Sequence, residues 1–339
     1  MGRRDHRPAS GPLGRRPAGG RAAEPLARVE RRGESVTIDA LVVGEALIDA
    51  VVEPDRVVRH PGGSPANVAL GLARLGIATR LHTAIGADDD GELIRAHLDR
   101  SGVALTPESV TDAPTSTAVA TLADDGSARY DFAVSWNPRE LADLGSPTVV
   151  HTGSLGAFLE PGREVTSDIL RRARAAGAFI TFDPNIRAGL IGDPREARAR
   201  FTELALVAQL IKLSDEDAEF LFPGRPLDEV LDLLIAGGAA VAGITRGSRG
   251  AYLASAAERV SVPSVTTTVA DTVGAGDSFM AALIRGLVFG PDGGDGRPVS
   301  SRRLQEIGGW AARAAAVTVS RAGADLPELH ELGAQRQAV

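Results

Sequence analysis

The stretch Asp-Thr-Val-Gly-Ala-Gly-Asp-Ser-Phe at residues 271–279 connects two segments of different periodicity. Residues 260–269 before it are rich in β-branched side chains, as a strand is. After it, Phe279, Leu283 and Leu287 recur at every fourth position, which gives a helix one apolar face. The sequence therefore predicts a strand, a turn of small residues and the start of a helix.

The turn itself suits an anion. Gly274, Ala275 and Gly276 leave their N–H groups open to a ligand at the helix N-terminus, where the helix dipole also favours negative charge. Asp277 lies among these amides. A carboxylate there suits a base that takes a proton from a hydroxyl while the amides hold a transferring phosphoryl group. From this motif alone, a glycine-rich helix start capped by aspartate is an equally open interpretation.

Length, cysteine content and charge exclude several classes of protein. The 339 residues suffice for one large α/β domain or two small ones, and the absence of cysteine excludes disulfides and thiolate chemistry. No apolar run reaches about 18 residues, so no membrane span is predicted. We expect a cytoplasmic protein, since the N-terminus has no apolar signal region.

The charge is distributed unevenly between the N-terminus and the rest of the chain. Residues 1–34 carry nine arginines and four acidic residues, a net charge of +5, which leaves −12 for residues 35–339. The acidic body disfavours nucleic-acid binding. Residues 1–34 mix Arg, Gly, Pro and Ala without apolar periodicity, which predicts a disordered tail or a start codon placed too far upstream. A basic arm that contacts RNA, a membrane or a partner is the alternative. The domain is predicted at residues 35–335.

Polar residues follow the first predicted strand, an apolar run at residues 36–43. Asp49 comes just after it, near the edge where ligands bind in open α/β sheets, and can accept hydrogen bonds from ligand hydroxyls or cap a turn. Gly62 and Gly63 allow a ligand to approach the backbone closely. Asn67 offers both a donor and an acceptor, which suits a sugar hydroxyl.

Two stretches of the chain resemble the signatures of one protein family. The sequence Gly-Gly-Ser-Pro-Ala-Asn-Val-Ala at residues 62–69, followed by Gly76 and Gly86, resembles the N-terminal signature of the PfkB (ribokinase-like) carbohydrate kinases. Residues 271–284 resemble their C-terminal signature. The two occur in the family's order, about two hundred residues apart, which is far more specific than either alone. The resemblance covers about residues 36–330.

The resemblance implies a fold and an activity. The fold is a ribokinase-like three-layer α/β/α sandwich, with a mostly parallel central sheet and a small β lid from about residues 50–60 and 115–133. The activity is Mg-ATP-dependent phosphorylation of a sugar hydroxyl, with Asp277 as base and the amides of residues 274–277 as anion hole. The family resemblance is also compatible with a homodimer in which the subunits contact each other through their lids. Tyr130 or Phe132 is expected to pack on the sugar or within the lid core.

The chain has no GxxxxGK sequence and a single lysine, Lys212. We therefore expect backbone amides and arginine to hold the phosphates. Arg187 ends the segment Asp-Pro-Asn-Ile-Arg at residues 183–187, which resembles a segment of the fructokinase branch. There Asp183 and Asn185 would orient the sugar or the metal-bound phosphate. Arg187 would supply positive charge near the substrate, or would pair with Asp183.

Fructose is the acceptor that this segment and Asp49 favour. Kinases of 2-keto-3-deoxygluconate, ribose or nucleosides remain alternatives, as does a non-catalytic sugar-binding regulator on the same fold. His151 is expected to be structural, because no acid–base chain surrounds it in the sequence.

Other segments resemble the family's nucleotide and metal sites. Residues expected to face ATP, either in the loop after a predicted strand or in the Ala-rich helix and the segment that follows it, are Thr245, Gly247, Gly250, Ala312 and Gly323. The family's NxxE pattern is replaced here by Ser214 and Asp217, so Asp217 is the Mg²⁺ candidate, with Glu216 and Glu219 as substitutes. A monovalent cation such as K⁺ beside Asp271 is compatible with the resemblance.

Overall fold

The structure, a computed structural model, describes residues 39–53, 56–122, 128–290 and 299–333. The predicted tail at residues 1–34 lies outside this part of the chain. Within it, no helix combines the length and the apolar character needed to cross a bilayer.

The main sheet of the described chain has nine strands, and seven of them are parallel. In spatial order from one edge to the other the strands are β15 (Arg259–Val262), β14 (Ala251–Ser255), β13 (Val241–Thr245), β12 (Leu210–Ser214), β11 (Phe179–Asp183), β10 (Val149–Gly153), β1 (Ala40–Val43), β4 (Thr79–His82) and β6 (Ala104–Leu105). Strands β14 and β15 are antiparallel to their neighbours. The parallel strands end along one edge, which is where such sheets bind ligands.

Helices cover both faces of this sheet. They are α1 (Ser64–Arg74), α2 (Asp89–Arg100), α3 (Ser154–Phe158), α4 (Arg163–Ala175), α5 (Ala188–Ile191), α6 (Pro194–Ala205), α7 (Asp215–Leu221), α8 (Leu227–Ala236), α9 (Ala275–Val288) and α10 (Ser301–Val319). Short 3₁₀ turns occupy Pro107–Ser109, Gly247–Arg249 and Leu329–Leu332.

Alternate residues of a strand point to opposite faces, and this divides the core into two layers. In β1, Ala40 and Val42 pack with α1, α2, α9 and α10, whereas Leu41 and Val43 pack with α3, α4, α6, α7 and α8. The three-layer α/β/α architecture implied by the family resemblance is therefore confirmed.

A second sheet forms the lid. Its strands, in spatial order, are β3 (Arg56–Gly62), β2 (Leu47–Glu53), β8 (Thr117–Leu122) and β9 (Ala128–Ala133). The pair β5 (Ile85–Gly86) and β7 (Val110–Thr111) is separate. The small β lid is thus confirmed, but β2 begins three residues earlier than the predicted segment. Asp49 consequently lies inside a lid strand and not in the loop that follows β1.

The run at residues 260–269 is a strand only as far as Val262. Pro263 follows and has no N–H to donate to a ladder, so pairing ends there. Helix α9 starts at Ala275, four residues before the predicted helical run, because Gly274 supplies a left-handed N-cap with φ of 76°.

Candidate active site

Two cavities meet above the carboxyl ends of the parallel strands. The smaller, of about 300 Å³, lies under the lid, and the larger, of about 880 Å³, lies beside α7, α9 and α10. The residues that line both are Asn185, Arg187, Lys212, Thr272 and Gly276. A ligand in one cavity therefore adjoins a ligand in the other across these residues.

Asp277 lines the smaller cavity from the first turn of α9, and its side chain is buried. Each of its carboxylate oxygens accepts a hydrogen bond from α1. Ser64 Oγ donates to Oδ1 at 2.6 Å, and Asn67 Nδ2 donates to Oδ2 at 2.8 Å. Burial raises the pKa of Asp277, while these two hydrogen bonds and the charges of Lys212 and Arg187 oppose the rise. Asp277 therefore combines two properties of a general base, burial beside a cavity and a fixed carboxylate.

The two glycines of the turn before Asp277 leave little room for side chains. A Cβ at Gly274 would lie 2.8 Å from Ala324 Cβ, closer than real Cβ atoms approach one another. At Gly276 a Cβ would lie 3.2 Å from Lys212 Nζ. The turn thus brings the backbone of α9's first residues to the wall shared by the two cavities, with an ammonium group beside it.

Lys212 is the cation that the sequence analysis missed. Its Nζ lies 2.8 Å from Asp183 Oδ2, and both side chains are buried. Burial opposes the charge of Lys212, but the negative charges of Asp183, Asp217 and Asp277 outweigh it and raise its pKa. Lys212 is therefore an ammonium at neutral pH. Lys212 thus adds a cation beside the amides and the arginine that are expected to hold the phosphates, and that expectation stays a prediction.

Asp183 is placed differently from its prediction. It lines neither cavity, since Lys212 stands between it and the ligand space. Burial raises the pKa of Asp183 to about 7 against the opposing charge of Lys212. The alternative pairing with Arg187 is also wrong, because Lys212 takes that place and Arg187 forms no ion pair within the described residues.

The other residues predicted to contact the sugar divide into two groups. Those that line the smaller cavity are Asp49, Gly63, Asn67, Asn185 and Arg187. Gly62 does not line it but lies behind Asp49, where a Cβ would come within 2.2 Å of Asp49 Oδ2. Burial raises the pKa of Asp49, and the charges of Arg187 and His60 oppose the rise. The structure therefore brings five of these residues together under the lid.

Glu45 is a further carboxylate of the smaller cavity that sequence reasoning did not single out. It follows β1, is buried, and its Oε2 accepts a hydrogen bond from Gly156 N at 2.7 Å. Burial raises the pKa of Glu45 to about 7, opposed by the Gly156 and Ser154 hydrogen bonds. Its position directly after a strand, at the ligand edge of the sheet, is the signal that could have identified it.

The nucleotide candidates mostly face the larger cavity. Thr245, Gly247, Gly250 and Ala312 line it. Its apolar wall is formed by Val265, Val269, Phe279, Ala312, Ala315 and Val319. Gly323 does not line it, and its N–H instead donates to Asp271 Oδ2 at 2.9 Å. An apolar wall that includes small alanines suits a purine base.

Asp217, the metal candidate, lines the larger cavity, but both of its carboxylate oxygens already accept hydrogen bonds from the backbone. Its Oδ1 accepts from Ile186 N at 2.7 Å and its Oδ2 from Ser214 N at 2.8 Å, where it forms a capping box with Ser214. The described residues contain no cluster of three side chains able to hold a metal by themselves. Glu216 presents an exposed carboxylate to the same cavity, whereas Glu219 bonds to Gly224 N and faces elsewhere. A monovalent cation beside Asp271 stays a prediction.

Two aromatic residues and a histidine complete the predicted set. Phe132 lines the smaller cavity, and the side chain of Tyr130 lies outside the described residues. His151 is buried, its Nδ1 pairs with Thr181 Oγ1 at 2.9 Å, and burial lowers its pKa to about 3. It lines neither cavity, as expected for a structural histidine.

Comparison with known proteins identifies a family model and similar enzymes that cover most of the chain. The profile described as pfkB family carbohydrate kinase matches residues 33–331. A fructokinase of Vibrio alginolyticus is 30% identical over 292 residues, covering 84% of this chain and 93% of the relative. A fructokinase of Rhizobium leguminosarum bv. trifolii is 34% identical over 259 residues, covering 73% and 79%.

Several solved structures with a similar fold contain a bound nucleotide or nucleotide analog. A fructokinase from Xylella fastidiosa with bound ATP has a TM-score of 0.73 at 26% identity, covering 86% of this chain and 96% of that one. An aminoimidazole riboside kinase from Salmonella enterica, complexed with aminoimidazole riboside and an ATP analog, has a TM-score of 0.73 at 25% identity, covering 87% and 98%.

Proposed function

This chain belongs to the pfkB family of carbohydrate kinases, and we propose that it transfers the terminal phosphoryl group of ATP to fructose, giving fructose 6-phosphate. One observation carries the proposal. Asp277 and the amide turn before it lie where a cavity of sugar size adjoins a cavity of nucleotide size. A base beside the acceptor and an anion site beside the donor are the two requirements of this reaction.

The smaller cavity favours a neutral polyol as acceptor. Three carboxylates line it, those of Glu45, Asp49 and Asp277, together with the amide side chains of Asn67 and Asn185. Carboxylates accept hydrogen bonds from sugar hydroxyls and repel a phosphate group. The similarity to fructokinases over most of the chain supports fructose among the neutral sugars. The similarity to the aminoimidazole riboside kinase keeps a nucleoside-like acceptor as the second candidate.

Asp277 takes the proton of the attacking hydroxyl in this proposal. The hydroxyl oxygen then forms a bond to the γ-phosphorus as the bond from that phosphorus to the β–γ bridging oxygen breaks, and ADP leaves. The backbone N–H groups of residues 274–277, among which that of Ala275 also donates to Thr272 O at 3.3 Å, and the ammonium of Lys212 stabilise the charge on the transferring group. Burial under the lid keeps water from competing with the sugar.

The donor set suits Mg²⁺ carried by the nucleotide. Mg²⁺ usually keeps several waters and binds one or two protein carboxylates together with substrate phosphates. The larger cavity offers the exposed carboxylate of Glu216 and the engaged carboxylate of Asp217, which fits such an ion. When bound, the ion neutralises phosphate charge. Asp217 positions Ile186 beside Arg187 through the backbone hydrogen bond that it accepts.

The test measures ADP release with Mg-ATP across fructose, 2-keto-3-deoxygluconate, ribose and nucleosides, for the wild type and Asp277→Asn. We expect fructose to give the highest kcat/KM. The asparagine variant should lose about 10²- to 10⁴-fold in kcat, as is typical when a general base is removed, while it binds ATP unchanged. Turnover of another sugar would replace the fructose assignment only. Sugar binding without any turnover would support the non-catalytic alternative.

The pH dependence has a defined sign. Asp277 must be ionised to accept a proton, and burial raises its pKa from the usual range of aspartate. We therefore expect kcat/KM to fall as the pH decreases through this raised pKa, and Asp277→Asn to lose that acid limb together with most of its turnover. A flat profile in the wild type would contradict the assignment of Asp277 as base.

A further inference from the structure

Ser64 has a side chain with an unusual position. It is the first residue of α1, it lines the smaller cavity, and it is only 7% exposed. Gly63 before it has φ of 100°, and a Cβ there would lie 2.5 Å from Glu45 O, so the start of α1 is fixed against the loop after β1. The Ser64 hydroxyl donates to Asp277 Oδ1 at 2.6 Å.

Ser64 and Asn67 act on the same carboxylate from one helix face. They are three residues apart, so their side chains lie on the same side of α1. Each donates to a different oxygen of Asp277. One hydrogen bond would leave the carboxylate free to turn about its Cβ–Cγ bond, whereas two bonds to its two oxygens hold its plane. An ionised carboxylate has about four acceptor positions, so positions remain for the proton of an acceptor hydroxyl.

The two helices that carry these residues pack at close range. A Cβ at Gly71 of α1 would lie 2.9 Å from Ala281 Cβ of α9, which is closer than such atoms approach in proteins. Glycine at this point therefore lets the two backbones come together. The distances from Ser64 and Asn67 to Asp277 are consequently set by helix packing, and not by a mobile loop.

We propose that Ser64 is a positioning residue, whose hydroxyl holds the Asp277 carboxylate in the orientation in which it accepts the proton of the acceptor hydroxyl. The inference rests on the proposed kinase function, because it concerns the base of that reaction. Ser64 acts through Asp277 and performs no proton transfer itself.

The pKa of Asp277 depends on the Ser64 hydrogen bond and on the charged groups around the carboxyl. Burial raises the pKa of Asp277, and the Ser64 hydrogen bond is the largest influence that lowers it, followed by Asn67, Lys212 on β12 and Arg187 before α5. Glu45 after β1 and Asp49 on β2 are the other carboxylates that line this cavity, and Asp183 on β11 interacts with Asp277 through its charge. Removal of the hydroxyl leaves all of these in place. The pKa of Asp277 should then rise further, and the acid limb of kcat/KM should move to higher pH.

The experiment compares Ser64→Ala, Ser64→Cys and Ser64→Thr with the wild type. Ser255→Ala is the matched control, since Ser255 is a buried serine that donates to Val299 O and lines neither cavity. We measure kcat, the KM for fructose, the KM for ATP and the pH profile of kcat/KM. Ser64→Ala should lower kcat by about 10- to 100-fold, the range expected for a misplaced catalytic group, and leave the KM for ATP unchanged.

The two other variants separate hydrogen bonding from packing. Ser64→Cys keeps the size of the side chain but donates only weakly, so it should behave like Ser64→Ala. Ser64→Thr keeps the hydroxyl and should recover most of the wild-type kcat. If Ser64→Ala does not fold, Ser64→Cys gives the same comparison. Wild-type kcat and an unmoved acid limb in the folded alanine or cysteine variant would overturn the inference.

A second readout needs no substrate. The infrared carboxylate and carboxylic acid bands of Asp277, identified by their loss in Asp277→Asn, are titrated in the ligand-free protein. In Ser64→Ala the transition should move to higher pH, and in Ser255→Ala it should stay. An inactive wild type whose Asp277 titration still responds to Ser64→Ala would overturn the proposed function and keep the contact. An active wild type with no response in Ser64→Ala would overturn the positioning role alone.

Discussion

The ammonium group of Lys212 lies between a buried carboxylate and the glycine turn of the site. On one side the buried carboxylate of Asp183 lies 2.8 Å away, and on the other side the amide turn at Gly276 faces both cavities. Removal of one partner of a buried ion pair leaves the other charge without compensation, which costs much more than the pair contributes. Lys212 therefore has a structural role and a proposed catalytic role that single substitutions cannot separate.

Lys212→Met should lower the free energy of unfolding by about 3–5 kcal/mol, because it leaves the buried carboxyl of Asp183 without its ion-pair partner. It should also abolish turnover. The double variant Asp183→Asn with Lys212→Met removes both charges, so stability should largely return while turnover stays lost. Chemical denaturation and ADP release measure the two effects. Recovery of turnover in the double variant would show that Lys212 serves folding only.

Glu45 should make stability depend on pH. Burial raises its pKa from 4.5 to about 7 in the folded protein, so between these values the folded state binds more protons than the unfolded state. Its stabilising contribution is complete below the unfolded pKa and is lost as the pH rises through the folded pKa. A shift of this size corresponds to about 3 kcal/mol.

Glu45→Gln should therefore gain stability relative to the wild type as the pH rises from about 5 to about 8. Urea denaturation at several pH values measures this difference. Glu216→Gln, at an exposed position, is the control for the effect of a glutamate-to-glutamine substitution itself. A constant difference between Glu45→Gln and wild type over the pH range would contradict the prediction.

At the residue scale, the sequence predicted the groups that lie inside motifs and missed those defined by long-range contacts. Asp277, Asn67 and Asp49 were found because each lies in or beside a recognisable stretch. Ser64 and Lys212 were missed because their significance comes from contacts with residues 213 and 29 positions away in the chain. For Lys212 a signal existed, since the only lysine of the chain lies near the carboxyl end of an apolar run.

At the scale of elements, the first turn of α9 depends on the backbone of Gly274. This residue has φ of 76°, a conformation that costs residues with a Cβ roughly 1–2 kcal/mol. A Cβ would also lie 2.8 Å from Ala324 Cβ. The glycine turn, the helix start and the position of the segment around residue 324 are therefore coupled.

Gly274→Ala should destabilise the protein by more than Gly224→Ala. It should also lower kcat at least 10-fold, because it displaces the amides proposed to bind the anion, and a misplacement of about 1 Å can cost about 10²-fold in rate. Gly224 is the matched control, since it has φ of 70° and nothing within 4 Å of its Cβ position. Thermal unfolding and ADP release are measured for both variants. Equal stability and equal kcat in the two would contradict the proposed role of the turn.

The sequence predicted most elements because the alternation of strand-like and helix-like runs matches a parallel sheet between helices. The predicted boundaries were wrong where a single residue ended a strand or started a helix. Pro263 ends β15 after Val262, and Gly274 begins α9 before the apolar repeat becomes visible. The location of Asp49 in the lid was missed because a lid strand and a strand of the main sheet have similar apolar patterns.

At the scale of the whole molecule, the residues that line the two cavities lie between Glu45 and Val319. The family profile begins at residue 33. Deletion of residues 1–34 should therefore leave kcat and KM within about twofold of the full chain, since it removes none of the residues that line the two cavities. Steady-state kinetics of the two proteins measure this. A large loss of turnover in the shortened protein would give the N-terminal segment a role in catalysis.

The contact between α1 and α9 joins the two ends of the described chain, and this has a consequence for synthesis. The core layer on that face of the sheet contains β1, α1 and α2 from the first third of the chain and α9 and α10 from its last quarter. During translation the ribosome releases the first group long before the second. The apolar surface of α1 therefore stays exposed while about two hundred further residues are synthesised, until its partner helices cover it. Exposed apolar surface of this kind leads nascent chains to aggregate or to bind chaperones.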